Sequence, residues 1–148
     1  MLFTFGETVM DVDVAQTRAY YSRESTKTAR ENCRCAGCQN FDRAILQAPE
    51  GVLSFLKDLG IDPQKPCEVF GLAGVPDEKG GYLYGGWYHV VGRLIKGEED
   101  PQKCYKPDEC FEFTVGFTDK KEKMGFVERD FPAPVLELSV RIYLPWLL

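Results

Sequence analysis

Three thiols stand within six residues at Cys33-Arg34-Cys35-Ala36-Gly37-Cys38, just ahead of a run with helical periodicity. Thiolates are soft ligands, and sulfur at C-x-x-C spacing suits tetrahedral zinc. A structural zinc site needs four ligands, and this stretch supplies three. The missing one must come from elsewhere: His89, the only histidine, or Cys67, Cys104 or Cys110. The metal expectation names Cys33, Cys35, Cys38 and His89, with zinc as the ion. The same residues admit a redox reading. Cys35-Ala36-Gly37-Cys38 opens a helix, and a thiol at a helix N-terminus feels the positive end of the dipole, which lowers its pKa and makes it nucleophilic. Thioredoxin-like proteins share that arrangement, but their motif follows a buried strand, whereas residues 25–33 (STKTARENC) are polar. A third reading is structural, with small half-buried residues anchoring a helix start. All three stay open at this level.

A second cluster is aromatic, Tyr82-Leu83-Tyr84-Gly85-Gly86-Trp87-Tyr88-His89. Aromatic side chains dominate protein-binding hot spots, so Tyr82, Tyr84, Trp87 and Tyr88 are candidate partner contacts. The competing reading is one strand of a packed sheet. His89 shares a strand face with Trp87 and Val91, and no catalytic partner stands near it in sequence. Asp11 and Asp13 could bind a hard cation only with further oxygen ligands, and otherwise form a solvated strand face. The chain carries no glycine-rich phosphate loop, no G-x-S-x-G elbow and no H-E-x-x-H helix, so no catalytic residue is named.

The elements that must position these groups follow from periodicity. Residues 8–14 alternate, with Met10, Val12 and Val14 on one side, which predicts a strand. Residues 15–32 read as an irregular or short helical connection. Phe41, Ala44, Ile45 and Ala48 recur at helical spacing, and Pro49 ends that run. Val52, Phe55, Leu56 and Leu59 then give one apolar stripe, with Gly60 placed to cap it, so a helical hairpin is expected. Strand signals fill the rest: residues 67–72, the aromatic run 82–95 with a bulge or close backbone approach at Gly85-Gly86, and 111–117. The clearest is 136–144, where Leu136, Leu138, Val140, Ile142 and Leu144 point one way. Strands outnumber helices and the helices are central. That pattern predicts one α+β domain over residues 1–148, an antiparallel sheet of five to seven strands with a helical pair on one face.

The length of 148 residues suits one domain that reaches stability without a metal or disulfide. The net charge of −5 and the absence of a Lys/Arg stripe argue against nucleic acid, whose binders neutralise phosphate with a basic face. A basic protein partner suits the charge better. No stretch approaches the roughly 20 apolar residues of a membrane span. The start has no basic n-region or long apolar stretch, and six cysteines fall well short of a disulfide scaffold. A cytoplasmic chain with reduced thiols is therefore expected.

Three stretches carry a resemblance. They are Cys33-x-Cys35-x-x-Cys38-x-Asn40-Phe41, Leu59-Gly60-Ile61-Asp62-Pro63, and Phe131-Pro132-Ala133-Pro134-Val135 leading to Pro145-Trp146. From Cys33 to the C-terminus they resemble a family of small uncharacterised bacterial proteins, some carried by mobile elements. The family has no assigned activity, so the resemblance implies a chain organisation and no catalytic residue. The leading expectation is a non-enzymatic binding or antagonist protein, of the immunity type, whose partner the sequence does not name. The alternatives are a thiol-based oxidoreductase using Cys35 and Cys38, and a domain with structural zinc at the cysteine cluster.

Overall fold

The alternating residues 136–144 and the aromatic run 82–95 form two long strands that pair along most of their length. In a computed structural model, which describes residues 1–97, 106 and 112–148, the elements follow in chain order. They are β1 (Leu2–Phe5), β2 (Thr8–Val12), α1 (Val14–Ser22), α2 (Ala29–Asn32), α3 (Ala36–Ala44), α4 (Glu50–Asp58), β3 (Glu68–Gly71), β4 (Gly81–Lys96), β5 (Phe113–Thr118) and β6 (Val135–Pro145). The fold is α+β, with one six-stranded antiparallel sheet among the described residues. Its order is β1-β2-β4-β6-β5, and β3 also pairs with β4.

Register places the core. Tyr84 lies opposite Ile142, Tyr88 opposite Leu138 and Val90 opposite Leu136, while β5 sets Phe113 beside Ile142 and Phe117 beside Leu138. Directly paired residues of antiparallel strands share a face. All of these are buried, as are the five alternating apolar residues of β6. The helical pair covers this face: Phe41 of α3 meets Tyr84 edge-on at 5.3 Å, and Phe55 of α4 meets Phe113 at 6.1 Å. The apolar stripe of α4 is buried as its periodicity predicts, and Gly60 follows it at φ 89°, a conformation favourable to glycine.

β4 is longer than any of its partners, and one of its edges is shared. β3 pairs with Tyr84–Trp87 and β2 with Gly92–Lys96. Both strands approach closely at a glycine: a Cβ on Gly86 would lie 2.4 Å from the Glu68 carbonyl oxygen, and one on Gly92 2.5 Å from that of Asp11. Close backbone approach, rather than a bulge, accounts for Gly86; the sheet's irregularity lies instead in β2, between Val9 and Met10. Side chains of α1 fill the gap between the two partners. The Tyr21 hydroxyl donates to the His89 carbonyl at 2.7 Å and accepts from the His89 N–H at 3.2 Å. Thr17 Oγ1 accepts from the Val91 N–H at 3.0 Å.

Two segments depart from the periodicity reading. The strand expected over 8–14 ends at Val12, because the Asp13 carboxylate accepts from the Gln16 N–H at 3.0 Å and caps a nine-residue helix. Asp13 is a helix cap and not half of a cation site. That helix buries Thr17, Tyr20 and Tyr21 at i, i+3 and i+4, a stripe too polar to announce itself. β1 lies within a short start that carried no strand prediction. No helix among the described residues is long and apolar enough to cross a membrane.

Candidate functional site

The cysteine cluster is built by two short helices meeting at an angle of chain. Thr28 caps α2 with a reciprocal bond to Glu31, and Cys33 follows in extended conformation. Cys35 then caps α3, its Sγ accepting from the Cys38 N–H at 3.4 Å. α2 is tied to its neighbours by the Arg30 N–H on the Asp42 carboxylate at 3.1 Å and the Ala29 N–H on the Gln64 carbonyl at 3.0 Å. The anchor of α3 is Asn40, fully buried. Its Nδ2 donates to the Tyr84 hydroxyl and to the Pro145 carbonyl, and its Oδ1 accepts from the Leu147 N–H at 2.6 Å. The Tyr84 hydroxyl donates in turn to the Gly37 carbonyl at 2.7 Å, inside the C-x-x-C turn.

This scaffold brings Cys33, Cys35 and Cys38 together, with all three sulfurs within 4.8 Å of one another. A tetrahedral zinc with Zn–S distances of about 2.3 Å sets its sulfurs about 3.8 Å apart, so the three lie within side-chain rotation of that geometry. They are close enough to hold a metal ion. Their ionisation is uneven. The Cys38 N–H and the Cys33 thiol hold the Cys35 thiol below its ordinary pKa, while burial, followed by the neighbouring thiols, pushes Cys38 well above it. Cys33 and Cys35 are exposed and Cys38 is buried.

The expected fourth ligand is not brought to this group. His89 sits on the opposite sheet face from Tyr84 and Tyr88, and its Nε2 lies 2.9 Å from Glu137 Oε2; the two side chains are 2% and 3% exposed. Register explains the pairing, since His89 stands directly across from Glu137, which also accepts from the Gly125 N–H at 3.0 Å. Placing His89 with the cysteines as a metal ligand is therefore corrected: it is engaged with Glu137 in a separate buried pair. Cys67 lines the same cavity as the cluster, but its Sγ donates to the Phe126 carbonyl at 3.2 Å and burial pushes its thiol up to about 12. Cys104 and Cys110 lie outside the described residues.

The aromatic cluster divides. Tyr84 and Tyr88 are 1% exposed, and their hydroxyls donate to the carbonyls of Gly37 and Pro63. They are core residues, which corrects their assignment as partner contacts. Tyr82 and Trp87 are half-buried, the Trp87 indole donating to the Phe126 carbonyl at 2.9 Å. Comparison with protein-family models, with curated proteins and with solved structures finds no match to this chain.

Proposed function

We propose that Cys33, Cys35 and Cys38 bind a soft metal ion, zinc being the first candidate, as three thiolate ligands. The observation that carries this reading is the convergence of the three sulfurs within 4.8 Å at the start of α3. The helix start favours it, because the Cys38 N–H already points at the Cys35 sulfur and stabilises its anionic form. The expectation of an antagonist or immunity-type protein keeps Tyr82 and Trp87 of its four contact residues, so the cysteine site takes precedence. Elemental analysis of protein prepared without chelator should give one zinc per chain. Cys35→Ser should weaken zinc binding by more than about 100-fold, since loss of outer-sphere partners alone costs 10- to 100-fold. Absence of stoichiometric metal, with thiols that alkylate equally fast with and without added zinc, would overturn the reading.

One observation favours a second reading, a thiol-based oxidoreductase. The exposed, acidified Cys35 stands three residues before the buried, protonated Cys38. In such chemistry the Cys35 thiolate attacks a disulfide of the substrate and displaces one of its sulfurs as a thiolate. Cys38, on losing its proton, then attacks Cys35 and releases the other sulfur. The substrate leaves reduced, and Cys35–Cys38 remains as the disulfide. Mass spectrometry after treatment with glutathione disulfide should then show that bond, and Cys35→Ser should abolish the exchange.

A further inference from the structure

The three-cysteine group opens onto a cavity of 620 Å³ whose other walls include Val69, Phe70, Tyr82 and Tyr84. That volume falls in the range of sites for small organic molecules, which are typically apolar and aromatic with a few convergent polar groups. The cavity's aromatic wall is formed by the rings of Tyr82 and Tyr84, 4.8 Å apart, whereas Phe70, paired with Gly85, turns its ring to the other sheet face, 6.3 Å from that of Trp87.

Resting on the metal reading above, we propose that the ion's fourth coordination position is filled from outside the chain by the neutral nitrogen of a heteroaromatic small molecule of the imidazole class, its ring system lying in this cavity. Two observations select that chemistry. First, among the described residues no fourth sulfur, imidazole or carboxylate joins the three thiols, so three thiolates leave a tetrahedral ion one position open. Second, the cavity wall holds no lysine or arginine. A divalent ion with three thiolates already has a net charge of −1. A fourth thiolate would bring it to −2 with no lysine or arginine on the cavity wall to balance it, an unfavourable accumulation in a partly desolvated site. A neutral nitrogen adds no charge, and its aromatic body matches the tyrosine wall.

Cobalt(II) in place of zinc reports the site through its d–d and thiolate charge-transfer bands, using the full chain. The probes are imidazole, 4-phenylimidazole and benzenethiolate. Both imidazoles should shift the d–d bands saturably, with 4-phenylimidazole binding roughly tenfold tighter because its second ring is buried. Benzenethiolate should bind more weakly than either. Tyr82→Ala should erase the advantage of the phenyl group while cobalt affinity stays unchanged, and Phe70→Ala, whose ring lies on the other sheet face, should leave that advantage intact. The triple variant Cys67→Ser/Cys104→Ser/Cys110→Ser should keep both the three-thiolate spectrum and the response to 4-phenylimidazole. A loaded site that no probe perturbs, a preference for benzenethiolate, or a fall in thiolate charge transfer in the triple variant would overturn the proposal and leave the metal reading standing. Failure of cobalt and zinc to bind at all would remove the metal reading, and this proposal with it.

Discussion

The cysteine cluster and the His89–Glu137 pair concentrate reactive side chains in opposite ways. The cluster draws its groups from six consecutive residues at a helix start, and two of its three thiols face solvent. The pair joins residues 48 apart in sequence, on adjacent central strands, and both side chains are almost wholly buried. A buried polar pair is committed to its partner, because separating the two leaves a desolvated group with nothing to bond. An exposed cluster is not. Its thiols can exchange protons for a metal or for each other with the framework beneath them unchanged. Burial thus separates a group that holds the sheet together from one available for chemistry.

The largest effect should come from the buried pair. Glu137→Ala leaves His89 without its partner and the Gly125 N–H without its acceptor, and should cost about 3 kcal/mol in urea unfolding. Combining it with His89→Leu should recover part of that loss. An unchanged midpoint for Glu137→Ala would erase the contrast. Next, Asn40→Ala removes the link from α3 to β4 and β6. It should lower stability by about 2 kcal/mol and also weaken zinc binding by several-fold, because the start of α3 is no longer held. Loss of stability with full zinc affinity would show that the cluster needs no such anchor.

Smaller still is the expected cost of Cys35→Ser in metal-free protein. Serine is a good N-cap, so unfolding free energy should move by less than about 0.5 kcal/mol. A large loss would make Cys35 a structural residue. The smallest effect concerns pH. Cys35 has its folded pKa below that of an ordinary thiol, so its ionisation adds stability above the unfolded thiol pKa, and that contribution fades as pH falls through the lowered folded value. Its exposure keeps the energy slight. Reactivity reports it better: in metal-free protein, alkylation of Cys35 by iodoacetamide should reach half its maximal rate below pH 9, whereas Cys67 should show no step there, its thiol being pushed up to about 12.

The same contrast governs what could be read from the residues alone. The cluster was legible because its spacing is local, and so were α4 and β6, whose apolar residues repeat at 3.6 and 2. His89–Glu137 was not. Alternation places Glu137 on the polar side of β6, and nothing in the local pattern shows that residues 124–131 fold over that side and bury it. α1 was hidden because hydroxyl-bearing side chains do its packing. The walls of the cavity escaped notice for another reason: Val69 and Tyr82 belong to different strands, and only the pairing of β3 with β4 and the docking of α3 bring them to the cysteines.

The hydroxyls of Tyr21 and Thr17 have a consequence for assembly as well as for pairing. A stretch of β4 with unmatched N–H and C=O groups would be a template for a strand from another molecule, or for β2 and β3 to slide along. With His89 and Val91 already bonded to α1, neither neighbour can advance without ejecting a buried tyrosine. The helix acts as a wedge driven into the sheet's longest edge, fixing the offset between the two shorter strands and closing that edge to recruitment by a second chain.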